Sequence, residues 1–291
     1  MNDNNVDISE SLGNVVVKDN ILIQKAKNDL TLNEQKLINF LISLVKPGDK
    51  DLQTYSIKIT DFSALTGIDN KHVYREFKKI IDGIDQKGFW FENDKILEKI
   101  NWVITPRYLK DKGTVEVRLH PDVKSYLLEL SGNFTKYELY NILSLKTKYS
   151  IGLYELFKSY SFKQSFTVDI DELKESVDAN NKSYKHFGMF RTKVLEKALD
   201  DINEYTDLNV SYVCLDASLR KMNNLKGCKV SFIRFFIKTK SELERVTLYE
   251  KTSNRVLNTE QLSDQVPHQI SFDTDNETSA LFDDTTNQQI N

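Results

Sequence analysis

Between Lys182 and Tyr205 the charges gather by sign: Lys182, Lys185, His186, Arg191 and Lys193 cluster at the start, and Glu196, Asp200, Asp201 and Glu204 toward the end. The apolar residues Phe187, Phe190, Val194, Leu195, Ala198, Leu199 and Ile202 step through the same stretch at the rhythm of one helix face. Such a helix works against its own dipole, which favours acids at the start and bases at the end by about 0.3–1 kcal/mol per charge. An anion docked at the start would offset that cost, because free N–H groups, the positive dipole end and cationic side chains converge there. A nucleic-acid phosphate is the natural candidate. Arg191, Thr192 and Lys193 would then reach base edges in a major groove, with Lys182, Ser183, Tyr184, Lys185 and His186 beside them at the helix start. Read without a partner, the stretch is an amphipathic surface helix, since charge runs commonly mark solvated faces.

Other chemistries lack their residues. His72, His120, His186 and His268 are far apart, so no close histidine pair stands ready to hold a metal beside a tyrosine nucleophile. No phosphate-cradling glycine loop of the form G-x-x-x-x-G-K-[ST] occurs. Thirteen tyrosines are more simply core and interface residues, and Asp61 and Asp171 fit helix caps better than metal ligands. The expectation is a binding protein without catalytic residues, cofactor or metal. Cys214 and Cys228 form no ligand pair, and no charged-then-apolar leader or 18-residue apolar run appears, which points to the cytoplasm and away from the membrane.

The net charge of −3 hides an asymmetry. Residues 239–291 carry four basic and ten acidic side chains, and residues 1–13 carry three acids and no base, so the stretch between them is basic by about six charges.

The elements that must position the candidate helix recur in order. In the first half, TLNEQKLINFLISLV (31–45) opens with a capping-box spacing, Thr31 to Glu34, and forms a core helix. YSIKI alternates as a strand, DFSALTG is a short helix, and KHVYREFKKIIDGI (71–84) is a longer one with Lys71, His72, Arg75 and Lys78 outside its apolar face. The runs GFWFEN, INWVITPRYL and TVEVRLH read as strands, HPDVKSYLLEL as a closing helix, and Ser131 to Asn133 as a linker. From Phe134 the order begins again, shifted by roughly 110 residues. FTKYELYNILSL and KTKYSIGLYELFKSYSF read as helices, SFTVDI as a strand, and DELKESV as a short helix capped by Asp169 or Asp171. The charged helix follows, then two strands, LNVSYVCL (208–215) and KVSFIRFFIK (229–238). Their hairpin is basic, with Arg220, Lys221, Lys226 and Lys229 as further phosphate candidates. Helix, strand, helix, helix and hairpin is the order of a winged helix. The expected fold is α+β: two tandem winged-helix domains over 14–132 and 133–240, between a disordered 1–13 and an acidic, disordered 241–291 that folding does not need. QISFD (269–273) and SALFDD (279–284) in that tail are candidate partner motifs, the first resembling peptides that bind a bacterial sliding clamp.

Taken together, these stretches resemble the plasmid replication initiators of the iteron-binding, theta-replicating type. The likeness runs over roughly residues 14–238 and is most specific in FTKYELYNILSLKTKYSIGLYELFKSY, FTVDIDELKESV, SYKHFGMFRTKVLEKALDDINEYTDLNVSY and KVSFIRFFIK. The resemblance implies a protein that binds direct repeats of double-stranded origin DNA, helps to open the origin and recruits host replication proteins: initiator, helicase and sliding clamp. It further implies a main major-groove contact from the second domain, through Lys185, His186, Arg191, Thr192 and Lys193. The first domain would add weaker contacts through Lys71, His72, Arg75 and Lys78 and carry homodimerisation, with dimers repressing their own promoter. A tandem winged-helix transcriptional regulator would read a duplex with the same helix and wing, so the residues alone leave both readings open.

Overall fold

The computed structural model describes residue 6 and residues 8–68, 72–92, 96–109, 111–130, 132–225 and 229–263. A short helix α1 (Ile8–Ser11) precedes strand β1 (Val15–Asp19), which turns Val16 and Lys18 inward. Asp19 accepts the Ile21 amide and starts α2 (Asn20–Gln24). After β2 (Lys27–Asn28), helix α3 (Leu32–Ser43) carries the capping box: the Thr31 hydroxyl accepts from the Glu34 amide, and the Glu34 carboxylate accepts from the Thr31 amide at 2.6 Å. Strand β3 (Thr54–Lys58), α4 (Asp61–Thr66) and α5 (Val73–Gln86) follow. Glycine at position 83 is what lets α5 lie against α3. A Cβ there would stand 2.2 Å from the Glu34 carboxylate, which Lys87 holds in place at 2.9 Å.

Four strands complete the first half of the chain: β4 (Gly88–Glu92), β5 (Leu97–Asn101), β6 (Val103–Leu109) and β7 (Thr114–Leu119). They form two antiparallel sheets, ordered β2-β4-β5 and β3-β7-β6. INWVITPRYL, expected as one strand, is divided between them at Trp102, whose amide donates to Lys87 and whose carbonyl accepts from His120. Its indole is buried against Phe89 at 4.8 Å, so the break is set by packing that no local pattern reveals. The closing helix is a 3₁₀ turn, Pro121–Tyr126.

The second half of the chain opens with β8 (Phe134–Glu138), where a helix was expected. Its alternating Thr135 and Tyr137 fit either period in so short a window, and pairing with β1 decides for the strand. Helices α6 (Leu139–Ser144) and α7 (Lys148–Tyr160), strand β9 (Ser165–Asp169) and helix α8 (Ile170–Ser176), capped by Asp169, lead to a 3₁₀ turn at Lys182–Tyr184. The charged stretch follows as α9 (Phe187–Phe190), a π turn (Arg191–Leu195) and α10 (Glu196–Tyr205). Strands β10 (Leu208–Leu215) and β11 (Phe232–Thr239) make the hairpin, and β9 joins it in the order β10-β11-β9.

The seam between the halves is built, not merely linked. β1 and β8 pair antiparallel from Val15↔Glu138 to Asp19↔Phe134. Beside them Lys18 forms a buried ion pair with Glu155 at 2.7 Å, and the Tyr137 hydroxyl donates to the same carboxylate. Asn20 bonds Thr135 and Asn133, so the end of the expected linker is anchored.

Both stretches expected to lack structure are ordered where they are described. Leu12 is wholly buried, and the Val6 amide donates to the Ser56 carbonyl. Residues Glu242–Ser263 form a long helix, α11, packed on α4, α6 and α1. Thr252 bonds the Ser144 hydroxyl at 2.8 Å, Arg255 donates to the Leu143 carbonyl, Tyr249 sets its ring edge against Tyr140, and Val256 is fully buried. The stripe Tyr249, Thr252, Val256 is narrow and half polar, which hid the helix among polar residues. QISFD and SALFDD lie outside the described residues.

Where α3, α10 and α11 approach, Lys36 is buried; desolvation, aided by the Arg255 charge and opposed by Asp201, pushes its ammonium down to about 8. The unfolded chain holds that proton up to about 10.5, so stability should rise with pH between those values. Lys36→Met should therefore raise the melting temperature at pH 7, with the gain shrinking as pH climbs from 8 to 10. Truncation after Lys240 should lower the melting temperature by several degrees, and Val256→Ala alone should cost about 1–3 kcal/mol in urea unfolding.

Candidate nucleic-acid interface

Four buried residues, Phe190, Val194, Ala198 and Ile202, are spaced by four throughout, a slower rhythm than 3.6. The π turn answers that mismatch: the Glu196 amide reaches back to the Arg191 carbonyl, and the widened turn keeps all four on the core side. The opposite face is thereby continuous. Lys185, His186, Gly188, Met189, Thr192, Lys193 and Lys197 are exposed along it, with Lys182 and Ser183 in the preceding turn.

That turn is rigidly held. Asn181 accepts the Ser183 amide, Lys174 donates to the Lys185 carbonyl at 3.3 Å, and the half-buried Tyr184 ring stands edge-on to Tyr149. The cations themselves are uncommitted: Lys182, Lys185, Lys193 and Lys197 have no carboxylate partner among the described residues. Arg191 differs. It is half-buried, with Nε 3.4 Å from the Glu196 carboxylate, which also accepts the Tyr212 hydroxyl from β10. Burial and Glu196 push the Tyr212 phenol up to about 12, so it remains a donor at neutral pH.

In the wing, Asp216 accepts the Ser218 and Arg220 amides and pairs with the Arg220 guanidinium at 3.0 Å. Those bonds, the Arg220 amide foremost, hold its carboxyl below the ordinary range and fix the turn after β10. Arg220 is thus partly neutralised, while Lys221 and Lys229 are exposed and without a carboxylate partner among the described residues. Lys226 lies outside the described residues.

The first-domain set is placed otherwise. His72 is exposed at the start of α5, but Arg75 pairs with Glu76 at 3.2 Å and Lys78 with Asp82 at 2.6 Å. Lys71 lies outside the described residues. Sequence reasoning passed over Met189 and Lys197, although Lys197 continues the four-residue step from Lys193; the acids that begin at Glu196 concealed it. Among the described residues no cluster could hold a metal ion, and no helix is long and apolar enough to cross a membrane.

Two winged helices in tandem, the second presenting a helix and wing with uncompensated lysines, define a DNA-binding protein of the tandem winged-helix class. The family model described as Initiator Replication protein, WH1, matches residues 15–158, and that described as Initiator Rep protein, WH2, matches residues 169–237. The chain belongs to this family of replication initiator proteins. The WH1 match runs past residue 132 through most of α7, so the family's first unit includes the opening elements of the second half. Among solved structures, the Pi initiator protein, crystallised in complex with iteron DNA, is similar over 79% of this chain and 99% of its own, with a TM-score of 0.63 at 22% identity.

If the wing lies on phosphate, Lys221→Ala and Lys229→Ala should each weaken binding to every sequence and lower the salt slope of log Kd by about one unit per lost contact. Lys78→Ala, which removes a charge already balanced by Asp82, should leave the slope nearly unchanged.

Proposed function

We propose that this chain initiates plasmid replication by binding direct repeats, the iterons, in double-stranded origin DNA. The observation that carries the reading is the row of unpartnered cations along the α9–α10 face, on the helix that a winged helix presents to a major groove. The wing supplies phosphate contacts beside it, and the first domain, whose cations are mostly paired internally, contributes less. Family membership and the fold shared with a protein crystallised on iteron DNA support the same reading. The role is binding and assembly rather than catalysis, and its setting is the cytoplasm.

The further steps we assign are opening of the adjacent origin segment and recruitment of host initiator, helicase and sliding clamp. A homodimer formed through the first domain would repress the chain's own promoter. Strand β5 supports such a dimer, since it stands at the edge of β2-β4-β5 with Ile96, Leu97 and Trp90 exposed around it.

Mobility-shift titration against DNA flanking the chain's own gene, with scrambled competitor at two salt concentrations, tests the proposal. Stepwise retarded bands on a fragment with direct repeats are expected, one chain added per repeat. A single band confined to an inverted repeat at the promoter would replace the initiator by a dimeric transcriptional regulator.

A further inference from the structure

At the middle of the exposed α9–α10 face the protein offers methyl groups, not hydrogen-bond donors. The Thr192 hydroxyl donates to the Gly188 carbonyl at 3.0 Å, which commits its proton and leaves the exposed side chain a methyl and an acceptor oxygen to offer. Met189, three residues earlier and so on the same face, is 45% exposed. Gly188 beside it has nothing within 4 Å of the place a Cβ would occupy, so the space at that position is open. The one guanidinium in the helix, Arg191, is half-buried and turned to Glu196. Around the apolar centre stand Lys182, Lys185, His186 and Lys193, all exposed.

An apolar centre inside a cationic rim suits a polyanion that presents apolar groups between its charges. Duplex DNA does so most at one base: thymine alone carries a methyl group, on C5, into the major groove. We infer that Met189 and Thr192 read thymine methyls in the repeat. Selectivity is then carried by apolar contact, positioned by lysines on phosphate, and not by an arginine on a guanine edge. This inference rests on the duplex-binding reading of the same helix.

Replacing thymine by deoxyuridine removes the methyl and keeps every hydrogen-bonding atom, so it isolates this contact. The full-length chain is titrated against a direct-repeat fragment from its own flanking DNA, against fragments with single thymines replaced, and against scrambled DNA. Affinity should fall about fourfold for each contacted methyl that is lost, at one or two positions per repeat, with scrambled-DNA binding unchanged. Met189→Ala and Thr192→Ser, both at exposed positions, should bind the thymine fragment more weakly and lose the discrimination at one position each. Thr192→Ser is the sharper variant, because it keeps the hydroxyl bonded to Gly188. Equal specific binding of thymine and deoxyuridine fragments would overturn the inference while leaving the initiator reading intact. Discrimination that survives in both variants would overturn it as well. Absence of specific binding to any fragment would overturn both readings together.

Discussion

The pairing of Val15–Asp19 with Phe134–Glu138 is the constraint from which the rest of the molecule takes its positions. Each strand begins one half of the chain, and neither could bury its backbone groups alone at this seam. Their ladder brings Lys18 of the first half against Glu155 of the second, in a setting where each charge is nearly removed from water. Opening the seam would leave an unpaired charge inside the protein, a penalty of several kcal/mol, so the ion pair acts as a check on register as much as a source of stability. Asn20, bonded to Thr135 and Asn133, repeats that check at the next turn.

With the halves fixed, the two differ in where their charges are compensated. On α5 the cations find carboxylates close by, Arg75 with the adjacent Glu76 and Lys78 with Asp82 one turn on, and present little net field. On α9–α10 the acids are displaced to the far end, so Lys185 and Lys193 stay uncompensated toward solvent. The dipole opposes that arrangement, and the helix tolerates it because Phe190, Val194, Ala198 and Ile202 are buried along its length. Packing energy thus permits a charge distribution that the isolated helix would resist, and the π turn keeps the exposed face free of core residues.

Helix α11 adds a further contact between the halves. It touches α4 of the first and α6 of the second, and its Arg255 stands near the buried Lys36 on α3. A surface so polar, with Thr252 on Ser144 and Arg255 on a backbone carbonyl, gains its stability from satisfied hydrogen bonds around one buried valine.

The periodicity of Phe187 through Ile202, the Thr31–Glu34 capping box, the span of Leu208–Leu215 and the basic stretch of the second hairpin were all determined by the sequence alone. Each depends on residues within a turn or two of one another, so local spacing contains the whole signal. The strand at Phe134–Glu138, the break at Trp102 and the helix at Glu242–Ser263 were decided by partners from about 15 to more than 200 residues away, which no window of sequence displays. The same holds at the candidate site. That lysines line the helix was legible, but that Arg191 turns to Glu196 and Thr192 spends its proton on Gly188 is a matter of side-chain geometry. Composition sets which groups are present, and only the packed tertiary structure sets which of them are left for a partner.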